Sequence, residues 1–231
     1  MPKAGKVFIY REELSIEEIS GLLEGWRESE HVQFNGDSYD LLSDIQNLHL
    51  NEGELTGLYQ YDYVISPIYR GTIQHIPVTD EASFLFTEHE HKTFLLVMAK
   101  KSVANSVANK FSLILHEEMG TIVEAMIHPS VLTGFYQDAD GTKILLFDNI
   151  EVPNMDKATL YGENVVQTNF HGDFASVGDP WYIVAKTKKR GYTVGLVRDG
   201  SVVVFSAVDE SQFVEYVKDE IMPLVLRRKT E

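Results

Sequence analysis

The stretch WYIVAKTKKRGYTVGLVRDGSVVVFS, residues 181–206, decides the fold class. Its apolar runs at 181–187, 192–197 and 201–206 have strand length and are rich in β-branched and aromatic residues. Lys188-Lys189-Arg190-Gly191 separates the first two runs and Asp199-Gly200 the last two. An Asp-Gly pair in this setting predicts a two-residue type I′ hairpin, because glycine adopts positive φ at little cost. Asp209 and Gln212 then have the spacing of a capping pair, and Phe213, Val217, Ile221 and Leu224 recur at helical intervals. Pro223 is expected to kink the final turn. Hairpin-linked strands closed by one helix predict an antiparallel α+β fold.

Working outward, residues 84–86 and 94–98 are apolar enough to be buried on both faces, with a helix after them whose stripe is Val103, Val107, Phe111, Ile114 and Leu115. Ser102 is expected to cap that helix, which should end near Met119-Gly120. The chain therefore reads as antiparallel sheets backed by helices, arranged as two related strand-strand-(strand)-helix units. The boundary is placed to give an acidic α+β portion at 1–135 and a hairpin-rich portion ending in a helix at 136–231, with one continuous domain as the alternative. In element order, residues 181–226 resemble a half of the TATA-binding-protein fold. That resemblance implies architecture alone, since a DNA saddle requires a basic sheet and this chain is acidic.

The remaining segments give less definite patterns. Ser15 and Glu18 form a capping box opening a helix that should run to about residue 28. A turn is expected at Asn35-Gly36-Asp37, a short amphipathic helix at 39–48, a half-buried strand from 55, and a second strand at 72–78 carrying His75. Residues 149–180, rich in Gly, Asn, Asp and Pro, are expected to form long loops.

Composition narrows the function classes. The 231 residues contain no cysteine, which excludes disulfides, thiolate zinc sites and a cysteine nucleophile. No apolar run approaches the roughly 18 residues that span a bilayer, and residues 1–6 lead into no apolar leader, so a cytoplasmic protein without a membrane partner is expected. The net charge of -15 disfavours nucleic acid and anionic lipid. Residues 1–90 hold 5 Lys/Arg against 17 Asp/Glu, whereas residues 181–231 hold 9 against 7. The basic residues gather at Lys186, Lys188, Lys189 and Arg190, and again at Arg227, Arg228 and Lys229.

Candidate chemistry is sparse. In TEHEHKTF, residues 87–94, His89 and His91 have the spacing of a metal pair on a strand, but the flanking apolar runs place them at a hairpin tip. His116-Glu117 lacks the second histidine of HExxH, position 120 being glycine, and is read as the polar end of a helix. His171-Gly172-Asp173 lies in the loop-rich region with Asp148, Glu151 and Asp179, and supplies the weak catalytic candidates His171 and Asp173. Tyr59, Tyr61 and Tyr63 share one strand face as a stacking platform, a protein interface or core. Phosphate-binding, dinucleotide and serine-hydrolase motifs do not occur. The expected function is a noncatalytic interaction or adaptor module for a protein partner, with no cofactor. Its expected contact is the basic hairpin of Lys186, Lys188, Lys189 and Arg190, projecting as a positive knob. The alternatives are a metal-assisted hydrolase using the His171-Asp173 loop and a nucleic-acid binder using the same basic hairpin.

Overall fold

A computed structural model describes residues 1–227 of a mostly antiparallel α+β protein, leaving Arg228 and Lys229 of the basic tail outside the described residues. Two units separate by their internal contacts, one of residues 9–123 and the other of residues 1–8 together with 124 onward. The second unit is discontinuous because strand β1 (Lys3–Tyr10) runs antiparallel to the last hairpin, Lys3 facing Val204 and Lys6 facing Ser201. The division thus falls after Val123, twelve positions before the 135/136 boundary drawn from composition, which carries no signal of such a return pairing.

Helix α1 (Ile16–Leu23) opens with the expected capping box: the Glu18 N–H donates to Ser15 Oγ at 3.2 Å and the Ser15 N–H to the Glu18 carboxylate at 2.8 Å. It stops well before residue 28 because Gly25, at φ 67°, turns the chain out of the helix. Strands β2 (Arg27–Phe34), β3 (Asp37–Asn51) and β4 (Glu54–Ile65) follow, then the short β5 (Ile68–Tyr69) and β6 (Thr72–Ile73), β7 (Ile76–His89) and β8 (Lys92–Met98). Their order in the sheet is β8-β7-β4-β3-β2. The helix expected at 39–48 is instead part of β3. Asn35 and Gly36, at φ 50° and 95°, make a two-residue turn that folds β3 onto β2, and a ladder on both sides outweighs a short helical spacing. The strand expected at 72–78 is broken at Gln74-His75, between β6 and β7.

Helix α2 (Lys101–His116) packs its stripe on β7 and β8. Lys100 takes the N-cap position without a side-chain bond, so Ser102 lies inside the helix and does not cap it. The helix ends at His116, short of Met119-Gly120, because Glu117 adopts the left-handed conformation at φ 56°. Phe84–Phe86 and Phe94–Val97 are buried on both faces as the apolar runs imply, and Phe111 meets Phe84 edge-on with centroids 4.8 Å apart.

Beyond β9 (Ile122–Glu124) come α3 (Pro129–Gln137), β10 (Gly141–Asp148), β11 (Ala158–Tyr161), a 3₁₀ turn at Val165–Gln167, and α4 (Asn169–Ala175). The chain closes with β12 (Asp179–Lys186), β13 (Thr193–Val197), β14 (Ser201–Val204), α5 (Glu210–Tyr216), a π turn at Val217–Ile221 and α6 (Met222–Leu226). The sheet order is β11-β10-β12-β13-β14-β1. Residues 149–180 therefore hold a strand and a helix rather than loops alone. The last hairpin also differs from a type I′ turn. Its loop is Arg198-Asp199-Gly200, and only Gly200 has positive φ, at 81°. A Cβ at Gly200 would stand 2.8 Å from the Val7 carbonyl oxygen and 2.9 Å from that of Ala125, so glycine is required there twice over. Pro223 lies in the first turn of α6, directly after the π turn that separates α6 from α5.

Candidate functional site

Alternation along β4 sends residues 59, 61, 63 and 65 to one face of the sheet. The three tyrosines form a ladder, with centroids 5.7 Å apart for Tyr59–Tyr61 and 5.9 Å for Tyr61–Tyr63. Tyr59 is fixed by an edge-on contact with Phe111 at 5.8 Å and is only 7% exposed, whereas Tyr63 is 40% exposed and Ile65 38%. The ladder therefore carries the apolar face from the core out to solvent. Tyr61, halfway along, has its phenol pushed upward by burial first and by the negative charge of Asp80 second. It stays protonated at neutral pH and so is not a base there.

Between this face and α2 lies a cleft of about 410 Å³. Tyr59, Tyr61 and Val107 form its apolar wall, and Glu28, Glu30 and Lys110 its rim. Lys110 is already committed: its ammonium bonds the Glu28 carboxylate and lies 5.5 Å from the centre of the Trp26 ring. Glu30 makes no ion pair among the described residues, which leaves the rim with unbalanced negative charge.

Past Ile65 the chain forms a separate two-stranded tip, β5–β6, before it returns along β7. Ile68 is 74% exposed, Tyr69 57%, Ile73 55% and Ile76 40%; Ile68 pairs with Ile73 across β5–β6, and Ile65 with Ile76 across β4–β7. Single exposed apolar residues are ordinary; the cross-strand pairs Ile68–Ile73 and Ile65–Ile76 set exposed apolar side chains beside one another. His75 braces this tip against the β2–β3 turn, with Nδ1 3.0 Å from Ser66 Oγ, Nε2 3.0 Å from Asn35 Nδ2, and its ring stacked on Phe34 at 5.2 Å. Sequence reasoning identified the tyrosines but missed the tip. Its signal was present in Ile68-Tyr69-Arg70-Gly71-Thr72-Ile73, where a turn pair is flanked by apolar residues with too few strand residues to bury them.

The other candidates lie elsewhere. Glu90 and His91, at φ 48° and 61°, are the central pair of the β7–β8 turn, while His89 ends β7 opposite Lys92. The hairpin-tip reading of TEHEHKTF thus describes the structure. His116 is the last residue of α2, its Nε2 2.6 Å from the Tyr10 phenol and its ring stacked on Tyr10 at 5.7 Å. Burial, opposed by a backbone hydrogen bond from Leu14 and aided by the charges of Glu12 and Glu18, pushes the Tyr10 phenol up to about 12, so it holds its proton beside His116. His171 sits in α4 and is buried, with Nε2 3.1 Å from the Tyr136 phenol. Asp173 follows on the exposed side of the same short helix, so the exposed loop assumed for this pair is a helix with its histidine turned inward. Among the described residues no group of three or more His, Asp or Glu side chains is placed to hold a metal ion.

The basic hairpin does not project as a free positive knob. Lys186 meets Asp140 at 2.9 Å, Lys188 meets Asp138 at 2.9 Å, Lys189 meets Glu220 at 2.9 Å, and Arg190 meets Asp219 at 2.5 Å and Glu215 at 3.7 Å. The hydrogen bond and charge of Lys186 hold the Asp140 carboxyl below its usual range. Each cation is answered from α3, α5 or the turns beside them, because the acidic residues that dilute the charge in the sequence come back to it in space. No helix among the described residues is long and apolar enough to cross a membrane. In comparison with known proteins, the chain matches no family profile and no curated protein.

Proposed function

We propose that the unit of residues 9–123 is a noncatalytic interaction module that docks a protein partner on the face running from Tyr61 through Tyr63 and Ile65 to the β5–β6 tip, with the cytoplasm as its expected compartment. The supporting observation is the set of exposed apolar residues Ile65, Ile68, Ile73 and Ile76, close in sequence to the end of an aromatic ladder anchored in the core, with Tyr69 exposed on the other face of the β5–β6 hairpin. Aromatic anchors on a rigid sheet lose little side-chain entropy on binding, which suits them to the centre of an interface. Charge selects the partner. Residues 9–123 hold 7 Lys/Arg against 19 Asp/Glu, so a surface with an apolar centre and a basic rim is complementary and an acidic one is repelled. The contact thus moves from the basic hairpin, whose cations are already paired, to the acidic unit.

A photoreactive phenylalanine analogue in place of Tyr69 tests this. Irradiation of cells expressing the variant should give one discrete protein adduct, and adding Ile68→Asp and Ile73→Asp should abolish it. Absence of any adduct, or an adduct indifferent to those substitutions, would remove the tip as a docking surface.

A further inference from the structure

We infer that the partner docks in part by adding a strand to the outer edge of β2, and that this strand carries apolar residues at alternate positions followed by basic ones. The inference rests on the proposed interaction role of the 9–123 unit and specifies its partner. Strand β2 ends the sheet order of that unit, and no described strand pairs with its outer side. At eight residues it is long enough to template another chain.

The register fixes which backbone groups are available. The Ile45 N–H donates to the Trp26 carbonyl at 3.3 Å, and β2 and β3 are antiparallel, with Glu28 facing Ser43, Glu30 facing Leu41 and Phe34 facing Asp37. Hydrogen-bonded and non-hydrogen-bonded pairs alternate in such a ladder. Even-numbered residues of β2 therefore turn their N–H and C=O toward β3. Arg27, Ser29, His31 and Gln33 turn theirs outward, four residues whose backbone donors and acceptors await a partner strand.

The side chains fix the incoming sequence. Glu28, Glu30, Val32 and Phe34 share the sheet face of Tyr61 and the cleft, so residues of an added strand on that face would stand beside Glu28, which already holds Lys110, then Glu30, which has no ion pair among the described residues, and then two apolar groups. An antiparallel strand meets Phe34 and Val32 first and Glu30 and Glu28 last. It should read apolar-x-apolar-x-basic-x-basic. A second copy of this chain fits less well, because antiparallel pairing of β2 with itself sets glutamates opposite one another in the registers centred on residues 29 and 30 and diagonal to one another in the register centred on His31, and in none of them does a Lys or Arg face Glu30. The edge is thus guarded against self-association and complementary to a basic strand.

A fluorescein-labelled peptide, Val-Thr-Val-Thr-Lys-Thr-Lys, and a control with both lysines replaced by glutamate test the assignment by anisotropy. The parent should bind the lysine peptide and bind the glutamate peptide at least about tenfold more weakly. Ser29→Pro removes an outward N–H and leaves the ladder to β3 intact, so it should weaken the lysine peptide at least about tenfold with the melting temperature near that of the parent. Glu30→Lys, at an exposed site that does not endanger folding, should narrow the preference for lysine over glutamate by about the same factor. No binding by the parent, equal affinity for the two peptides, or unchanged binding by Ser29→Pro would each overturn the inference. If Ser29→Pro keeps the photo-adduct at position 69 while Ile68→Asp with Ile73→Asp loses it, the tip reading stands and the edge reading falls. Loss of neither adduct would sink both.

Discussion

In the unit containing the C-terminal sheet, Lys6 is completely buried and is answered by Asp199 at 3.2 Å and by Glu124; in the 9–123 unit, Ile68 is 74% exposed and its cross-strand neighbour Ile73 is exposed as well. The contrast extends to charge. The first unit holds 13 Lys/Arg against 16 Asp/Glu and closes Arg198 on Asp148 with two bonds of 2.8 and 3.1 Å, whereas the second holds 7 against 19 and has Glu30 on a sheet edge with no ion pair among the described residues. The first unit pairs these charges internally, although it too exposes apolar side chains, Tyr161 at 81% and Phe170 at 65% among them. The other carries an excess of acidic groups at its surface, on the unit that holds the proposed docking face.

If this contrast is real, the closed unit should suffer most from loss of a partner. Asp199→Ala should destabilise the fold by about 3 kcal/mol, the low end for a broken buried pair because Glu124 still faces Lys6. Urea denaturation showing a cost near zero would mean that the buried ammonium is satisfied without Asp199. Tyr136→Phe should cost about 1 kcal/mol, the worth of one hydrogen bond to His171. A larger loss would show that the pair organises α3 and α4 beyond that bond.

The same histidine gives a pH test. Burial pushes the His171 imidazole below its ordinary value, so the unfolded chain takes up a proton there at a pH where the folded chain does not. Stability contributed by neutral His171 is therefore present above about pH 6.5 and is lost as the pH falls through the window below it. Thermal melts between about pH 7 and 5 should fall more steeply for the parent than for His171→Asn. Parallel slopes would place the histidine in contact with water. The smallest effect is expected at the open end, where Ile68→Ser with Ile73→Ser should change the unfolding free energy by no more than about 0.5 kcal/mol. A cost of several times that would show the tip to be packed and remove the contrast.

The hairpins at 181–204, the buried runs at 84–86 and 94–98, the capping boxes at Ser15 and Asp209, and the turn at Glu90-His91 could be read from the sequence because each is set by neighbours a few residues away. Residues 39–48 could not. Their apolar spacing suits a short helix, and only pairing with β2 and β4 selects the strand. The same limit explains the basic hairpin. Lys188 and Asp138 stand 50 positions apart, so a count along the chain sees a positive cluster where the fold makes ion pairs. His171 looked exposed because glycine, asparagine and aspartate surround it, while Tyr136, which buries it, lies 35 positions away. The tyrosine ladder was legible as a period of two, but its route from core to solvent depended on where α2 stops covering it.

The pairing of β1 with β14 sets a timetable for synthesis. Lys6 and Asp199 are 193 positions apart, and the first strand leaves the ribosome long before its partner hairpin exists. At about 5–20 residues per second, the interval is roughly 10–40 s. Residues 9–123 are contiguous and can complete their own ladder in that time, so the nascent chain need not wait idle. The half of the strand that pairs with β14, Lys3 to Lys6, must wait longest, whereas β9 can meet it much earlier, and a fusion or truncation that ends translation before Val204 should leave that half exposed to holdase chaperones or to aggregation.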